Sequence, residues 1–353
     1  MRTGHGIWIS AILIASLTGC SERPIIIDVW YGDSQVFGIP GNPQRAINIL
    51  GNVRGKQPLR KLEYSLNGAD FRALSLGSDG RRLAREGDFN VEICRHLLRE
   101  GRNVLLIRAL DETGNNAKKR VGIRYSRQES WPLPYHVDWL SSVTAFNPYG
   151  LDQRKVYLMD GKWRTENGRI RTVEPYYDRI LALGDSTWKD YEVRTDVIFY
   201  GNSEPMPGPP TFGVAHVAIA LRWPGHDKDD NQPHVKWYPL GATCEFMISA
   251  GRDSCRWRML YGRGMRTEDT EQHRRIELGK RYQMAARVET LGACTSRYSA
   301  KLWDPDRQEP DGWDLVGLKD HETCPTGSAL LLSHNTDVSF GNVSVSPLTT
   351  NER

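Results

Sequence analysis

The sequence predicts an all-β chain made of two β-sandwiches in tandem behind a short export leader. Three observations predict it. The first hundred residues after the leader are short apolar segments separated by Gly, Asn and Asp turns, with no long helical period. From Trp139 to Pro347 apolar and polar residues alternate with period two, the mark of half-buried antiparallel strands. The apolar run near the N-terminus is too short to cross a hydrocarbon core of about 30 Å, which needs about 20 helical residues.

The leader comes first. Arg2 precedes the apolar run Ile7-Trp8-Ile9-Ser10-Ala11-Ile12-Leu13-Ile14-Ala15, which ends at Leu17-Thr18-Gly19-Cys20. These are the parts of a signal peptide. The last four residues resemble the bacterial lipobox. The resemblance implies a signal peptide over 1–19, a diacylglycerol on Cys20 and a lipidated N-terminus over 20–23. Ser21 stands where an Asp would mark inner-membrane retention, so the resemblance implies the outer membrane in a cell that has one. The address expected is the cell envelope, with the membrane reached through the lipid anchor only.

About 330 residues remain after cleavage, room for two domains. A formal charge of +4 over 353 residues, with 47 Lys and Arg interspersed among 43 Asp and Glu, leaves no basic footprint for nucleic acid.

Residues 24–126 read as the first sandwich. Its strand candidates are 46–53, 62–66, 89–93, 104–109 and 121–125. The segments Gly101-Arg102-Asn103-Val104 and Asp111-Glu112-Thr113-Gly114-Asn115 place Gly and Asn where a tight reversal needs positive φ. With these turns the module resembles bacterial immunoglobulin-like domains, and the resemblance implies a spacer that presents a partner domain. Glu86, Asp88 and Glu92 lie at even spacing, as on a catalytic strand of jelly-roll glycanases. Gly87 and the long last interval break that pattern, and the three are read as a turn and a solvated strand face.

Residues 127–140 form the linker, where Trp131-Pro132-Leu133-Pro134-Tyr135 favours extended backbone and the aromatics imply packing. The second module spans 141–348, before a tail at 349–353. Tyr191, Val193, Thr195, Val197 and Phe199 share one face of a strand. Cys255, Trp257, Met259 and Tyr261 share another, as do Tyr282, Met284, Ala286 and Val288, and Tyr298, Ala300 and Leu302. About ten such strands suggest a two-sheet jelly roll. The module resembles the concanavalin A-like, laminin-G-like superfamily in three places: an opening strand at 163–170, a turn and strand at 184–193, and a closing strand at 333–343 that returns beside the first. These motifs report a fold, and function has to come from a site.

With Cys20 lipidated, five cysteines remain. Cys94 is isolated and read as a buried small hydrophobe. Cys244, Cys255, Cys294 and Cys324 allow three pairings in an oxidising compartment. The preferred one joins Cys244 to Cys255, across a turn near 249–251, and Cys294 to Cys324. No C-x-x-C spacing points to zinc.

The candidate site is the segment 221–238, rich in Trp, His and Asp. Trp223, His226, His234 and Trp237 are the carbohydrate-binding candidates, because aromatic faces stack on sugar rings while polar groups bond hydroxyls. Asp227, Asp229 and Asp230 are oxygen ligands of the kind Ca2+ takes. The competing reading is a solvated loop between two core tryptophans. No G-x-S-x-G, H-E-x-x-H or phosphate-binding Gly-rich loop is present, and His321-Glu322 continues as Thr323, Cys324 and Pro325. No catalytic residue is assigned. The expected function is non-catalytic carbohydrate binding or adhesion, with a glycan or an envelope protein as partner. Because relatives of this jelly roll include glycoside-active proteins, a polysaccharide-processing enzyme is the alternative, and a structural protein binding another protein is the third reading.

Overall fold

The structure is a computed structural model that describes residues 25–39, 41–127, 131–140, 149–202, 215–235, 240–263 and 266–348, with 266–269 in backbone alone. It is all-β among these residues. A 3-10 turn lies at Arg95–Leu97, and no helix among the described residues is long and apolar enough to cross a membrane.

The first unit packs a three-stranded sheet on a five-stranded one. The three-stranded sheet orders β1 (Ile26–Val29), β3 (Ala46–Arg54) and β6 (Asp88–Cys94). The other orders β2 (Ser34–Phe37), β8 (Asn116–Tyr125), β7 (Gly101–Asp111), β4 (Leu59–Leu66) and β5 (Arg72–Ala73). β2 runs parallel to β8, and the other pairings are antiparallel. The β7–β8 turn is fixed by Asp111, whose Oδ1 accepts from the amides of Thr113 at 3.0 Å and Asn115 at 2.9 Å. Cys94 is half-buried rather than a core residue, because β6 gives way to the 3-10 turn there.

The second unit is a sandwich of two antiparallel sheets. One orders β10 (Tyr157–Asp160), β13 (Arg179–Leu183), β22 (Ser328–His334), β15 (Ala215–Trp223), β16 (Leu240–Ile248), β17 (Arg256–Gly262) and β18 (Arg266–Asp269). The other orders β11 (Trp163–Glu166), β12 (Arg169–Thr172), β23 (Thr336–Phe340), β14 (Tyr191–Asn202), β19 (Arg281–Thr290), β20 (Ser296–Trp303) and β21 (Leu315–Lys319). On it, β24 (Val343–Pro347) pairs with β14, and β9 (Tyr135–Val137) pairs with β24. The expected linker therefore supplies a strand, and its Trp131 and Trp139 are buried in the sandwich core. The faces of β14, β17, β19 and β20 that alternate in the sequence all point into that core.

Three details differ from the sequence reading. The opening strand expected at 163–170 is a hairpin, β11–β12, because Asn167 (φ 52°) and Gly168 (φ 71°) both take the left-handed conformation that a two-residue turn demands. Asp88 and Glu92 are buried rather than solvated. The four candidate bridge-formers are free thiols. Cys244 stands opposite Met259, and at about 3.4 Å per strand residue Cys255 lies on the order of 13 Å further along. A bridge needs Cα atoms about 4.4–6.8 Å apart. Cys294 is exposed while Cys324 is buried, so their side chains lie in different surroundings although the Glu322 amide donates to the Cys294 carbonyl at 2.8 Å.

The two units share their cores. Trp30, Tyr31 and Leu50 belong to the apolar cluster of the second sandwich. Met159, Ile180, Ala218, Ala220, Trp223, Leu330 and Leu332, from the outer face of its seven-stranded sheet, belong to the cluster of the first unit. The three-stranded sheet is thus buried on both faces. Polar groups knit the same boundary. Arg82 donates from Nε to Asp160 Oδ1 at 2.5 Å and from Nη1 to Glu92 Oε2 at 2.7 Å, and Asn90 donates to the Met159 carbonyl at 2.9 Å. A buried charge is tolerated when it is paired and hydrogen-bonded, and Arg82 meets both conditions.

Candidate binding site

The loop after β15 is where the sequence puts the site, and the structure gives it a different neighbour. Arg222 is wholly buried with φ 54°, and the register of β15 against β22 shifts there. The shift turns Trp223 to the outer face, where it is fully buried against the first unit. No ring face is left for a sugar. His226 meets the Trp223 ring edge-on at 5.2 Å and is buried between Glu92 and Asp160, its ring nitrogens 3.9 and 3.7 Å from their oxygens. Burial first, and the Arg82 charge second, hold its pKa well below the ordinary histidine value, so the ring is neutral. Burial also pushes the Asp160 carboxyl up to about 7, against the opposing pull of Arg82 and Arg179.

The rest of the loop is a clasp. Gln232 donates to the Glu92 carbonyl at 2.8 Å and accepts from the Glu92 amide at 3.3 Å, and its own carbonyl accepts from the Ser75 amide at 3.0 Å. His234 is partly exposed, with its carbonyl hydrogen-bonded to Arg82 and its ring 3.4 Å from Asp229. The aspartates are spread out. Asp227 pairs with Arg263 at 2.6 Å, Asp229 accepts from the amides of Asn231 and Val235 at 2.9 Å each, and Asp230 faces solvent. Among the described residues these three do not converge as a metal site. Trp237 and Cys20 lie outside the described residues.

A different set of groups does converge. It lies on the outer face of the seven-stranded sheet, at the strand ends away from Trp223. His216 of β15 stands opposite His334 of β22. Asp178 precedes β13, where Arg179 pairs with Ser333, and so falls beside His334. Glu245 of β16 stands opposite Arg258 of β17. Adjacent strands thus carry one row, which steps diagonally between β15 and β16, where His216 stands opposite Met247 and Glu245 opposite Ala218. Asp178 Oδ1 lies 2.7 Å from His334 Nδ1, and the His334 and His216 rings stack at 4.5 Å with planes 10° apart. His216 Nε2 lies 3.8 Å from Glu245 Oε1, and Arg258 donates to Glu245 Oε2 at 2.8 and 2.5 Å. Burial pushes the Glu245 carboxyl up to about 7, against the Arg258 guanidinium. Tyr177 sets its ring edge on His334 at 4.7 Å.

Sequence reasoning missed this row. The one signal was phase: His216 and Glu245 occupy the polar beats of apolar strands, and only the register between strands brings them together.

No family model matches the chain, and no curated protein does. Similar solved structures exist. The VIP36 exoplasmic/lumenal domain in its Ca2+/Man3GlcNAc-bound form is 12% identical, with a TM-score of 0.38 over 57% of this chain and 87% of that one. A protein of unknown function with a galectin-like fold from Bacillus subtilis is 10% identical, with a TM-score of 0.33 over 62% of this chain and 97% of that one. A structure from work on carbohydrate-binding modules of the β-sandwich superfamily is 7% identical, with a TM-score of 0.20 over 92% of this chain and 97% of that one.

Proposed function

We propose that the chain is a lipid-anchored envelope protein that binds glycan through the row formed by Asp178, His334, His216, Glu245 and Arg258. The observation that carries the reading is the row itself, a line of hydrogen-bonding groups across adjacent strands of an outer sheet face. Carboxylates and imidazoles in such a line accept from and donate to sugar hydroxyls, while the neighbouring Tyr177 ring offers apolar contact. Asp178, His216, His334 and Glu245 are buried, and a ligand meets the row at its partly exposed members, Arg258 and the neighbouring Tyr177.

In this reading the first unit is an immunoglobulin-like spacer. Supporting it are the parallel β2–β8 pairing, the sheet orders and the Asp111 turn. The second unit is a concanavalin A-like jelly roll, supported by its two-sheet sandwich and by β23 lying beside β12. The anchor is the diacylglycerol on Cys20, supported by the lipobox-like Leu17-Thr18-Gly19-Cys20, with outer-membrane residence following from Ser21. β1 begins at Ile26, so the folded body sits close to the lipid.

A second reading, polysaccharide processing, is favoured by the two carboxylates, Asp178 and Glu245, that flank the stacked imidazoles. One experiment separates the two. The mature chain is applied to a glycan array and incubated with a polysaccharide panel. Capture without turnover is the expected result, products from the panel would replace it with the enzymatic reading, and neither would exclude both.

A further inference from the structure

We infer that Asp178, His216 and His334 form a binding site for a nitrogen-preferring metal dication of the zinc class. Each side chain offers one ligand atom, and the three atoms lie within 4.8 Å of one another. All three residues are more than nine-tenths buried, at 8%, 6% and 6% exposure. His216 on β15 and His334 on β22 are cross-strand partners, and Asp178 is the residue immediately before β13, beside His334, so the backbone ladder fixes the two histidines and sets the carboxylate at its end. This site lies inside the row proposed to meet glycan but rests on its own geometry and donor chemistry.

The donor set selects the metal. Two imidazoles and one carboxylate suit Zn2+ and its neighbours among the first-row dications, whereas Ca2+ and Mg2+ take oxygen ligands almost exclusively. Both ion and place differ from the Ca2+ expected at Asp227, Asp229 and Asp230. Zinc binds nitrogen at about 2.0–2.1 Å and carboxylate oxygen at about 2.0–2.2 Å, so the two imidazoles, stacked with planes 10° apart, turn out of their stack to aim a nitrogen each at a shared ion.

The surroundings have the form of an outer shell. Metal-bound histidines are held by carboxylates behind them. Glu245 stands 3.8 Å from His216 Nε2 and is itself gripped by Arg258. With three protein ligands, a fourth position stays open to water or to a ligand oxygen.

The test uses the mature chain freed of metal by a chelator. Zn2+ is titrated calorimetrically, and Co2+ is followed by its visible absorption, which reports tetrahedral nitrogen and oxygen coordination. The expected result is one saturable Zn2+ site per chain, a Co2+ spectrum, and no comparable response to Ca2+. His216→Ala and His334→Gln each remove a ligand and should weaken Zn2+ binding by more than the roughly 10- to 100-fold that loss of an outer-shell partner costs. Circular dichroism of each variant separates loss of the site from loss of the fold, and if one variant unfolds, the other carries the comparison. No saturable Zn2+ or Co2+ binding, binding indifferent to both substitutions, or Ca2+ binding lost in Asp178→Asn would each overturn the inference. None of these readouts involves glycan, so failure here is distinct from failure on the array.

Discussion

Arg82 and His226 show how much of the molecule is decided by single side chains. Arg82 satisfies Glu92 from one unit and Asp160 from the other, and His226 fills the space between those carboxylates as a neutral ring. A histidine whose pKa is depressed in the fold is protonated first in the unfolded chain. The contribution of His226 is therefore present above about pH 6.5 and is lost as the pH falls toward its folded value. Asp160 runs the other way. Its carboxyl is raised to about 7, so the fold takes up that proton ahead of the unfolded chain and gains stability as the pH falls from about 7 to about 4. His226→Gln isolates the first effect. In urea denaturation, the stability difference between wild type and variant should move in the variant's favour by up to about 1.4 kcal/mol per pH unit below about 6.5; parallel profiles would contradict the assignment. Little of this was legible in the sequence. Glu92 sits on a polar face that reads as solvated, because a strand buried against a polar partner has the same alternation as one facing water.

At the scale of elements, the sequence was most readable where one face is apolar and the other polar. The strands β14, β17, β19 and β20 follow their alternation into the core, and the Asp111 turn forms as its Gly and Asn require. It was least readable at β15, which is buried along its whole length. There the left-handed Arg222 changes the register, and no periodicity announces which way Trp223 will face. The consequence is energetic. Trp223 is a core residue in contact with both units' residues, so Trp223→Ala should cost about 3–5 kcal/mol of stability in chemical denaturation. A cost below about 1 kcal/mol would mean an exposed ring, and with it the loop site that the aromatic composition suggests.

Among the described residues the molecule is four sheets packed through shared cores rather than two beads on a linker. Apolar side chains cross the boundary in both directions, and the segment between the units adds β9 to the second sandwich. Such a body should unfold as one cooperative system, and calorimetry of the mature chain should show a single transition with equal calorimetric and van't Hoff enthalpies. Two well-separated transitions would show that the units are independent. The shared core also leaves the row from Asp178 to Arg258 at a fixed place relative to Ile25, where the chain emerges toward the proposed lipid.

The most direct measurement is calorimetric titration, with a glycan captured on the array, of wild type, Glu245→Gln and Asp230→Asn. The first substitution changes the row and the second changes the exposed tip of the clasp loop. Loss of a hydrogen bond to a buried charged group is worth about 1.5–3 kcal/mol, so Glu245→Gln should weaken binding by about tenfold or more while Asp230→Asn leaves it unchanged. The reverse pattern would move the site to the loop and contradict the account.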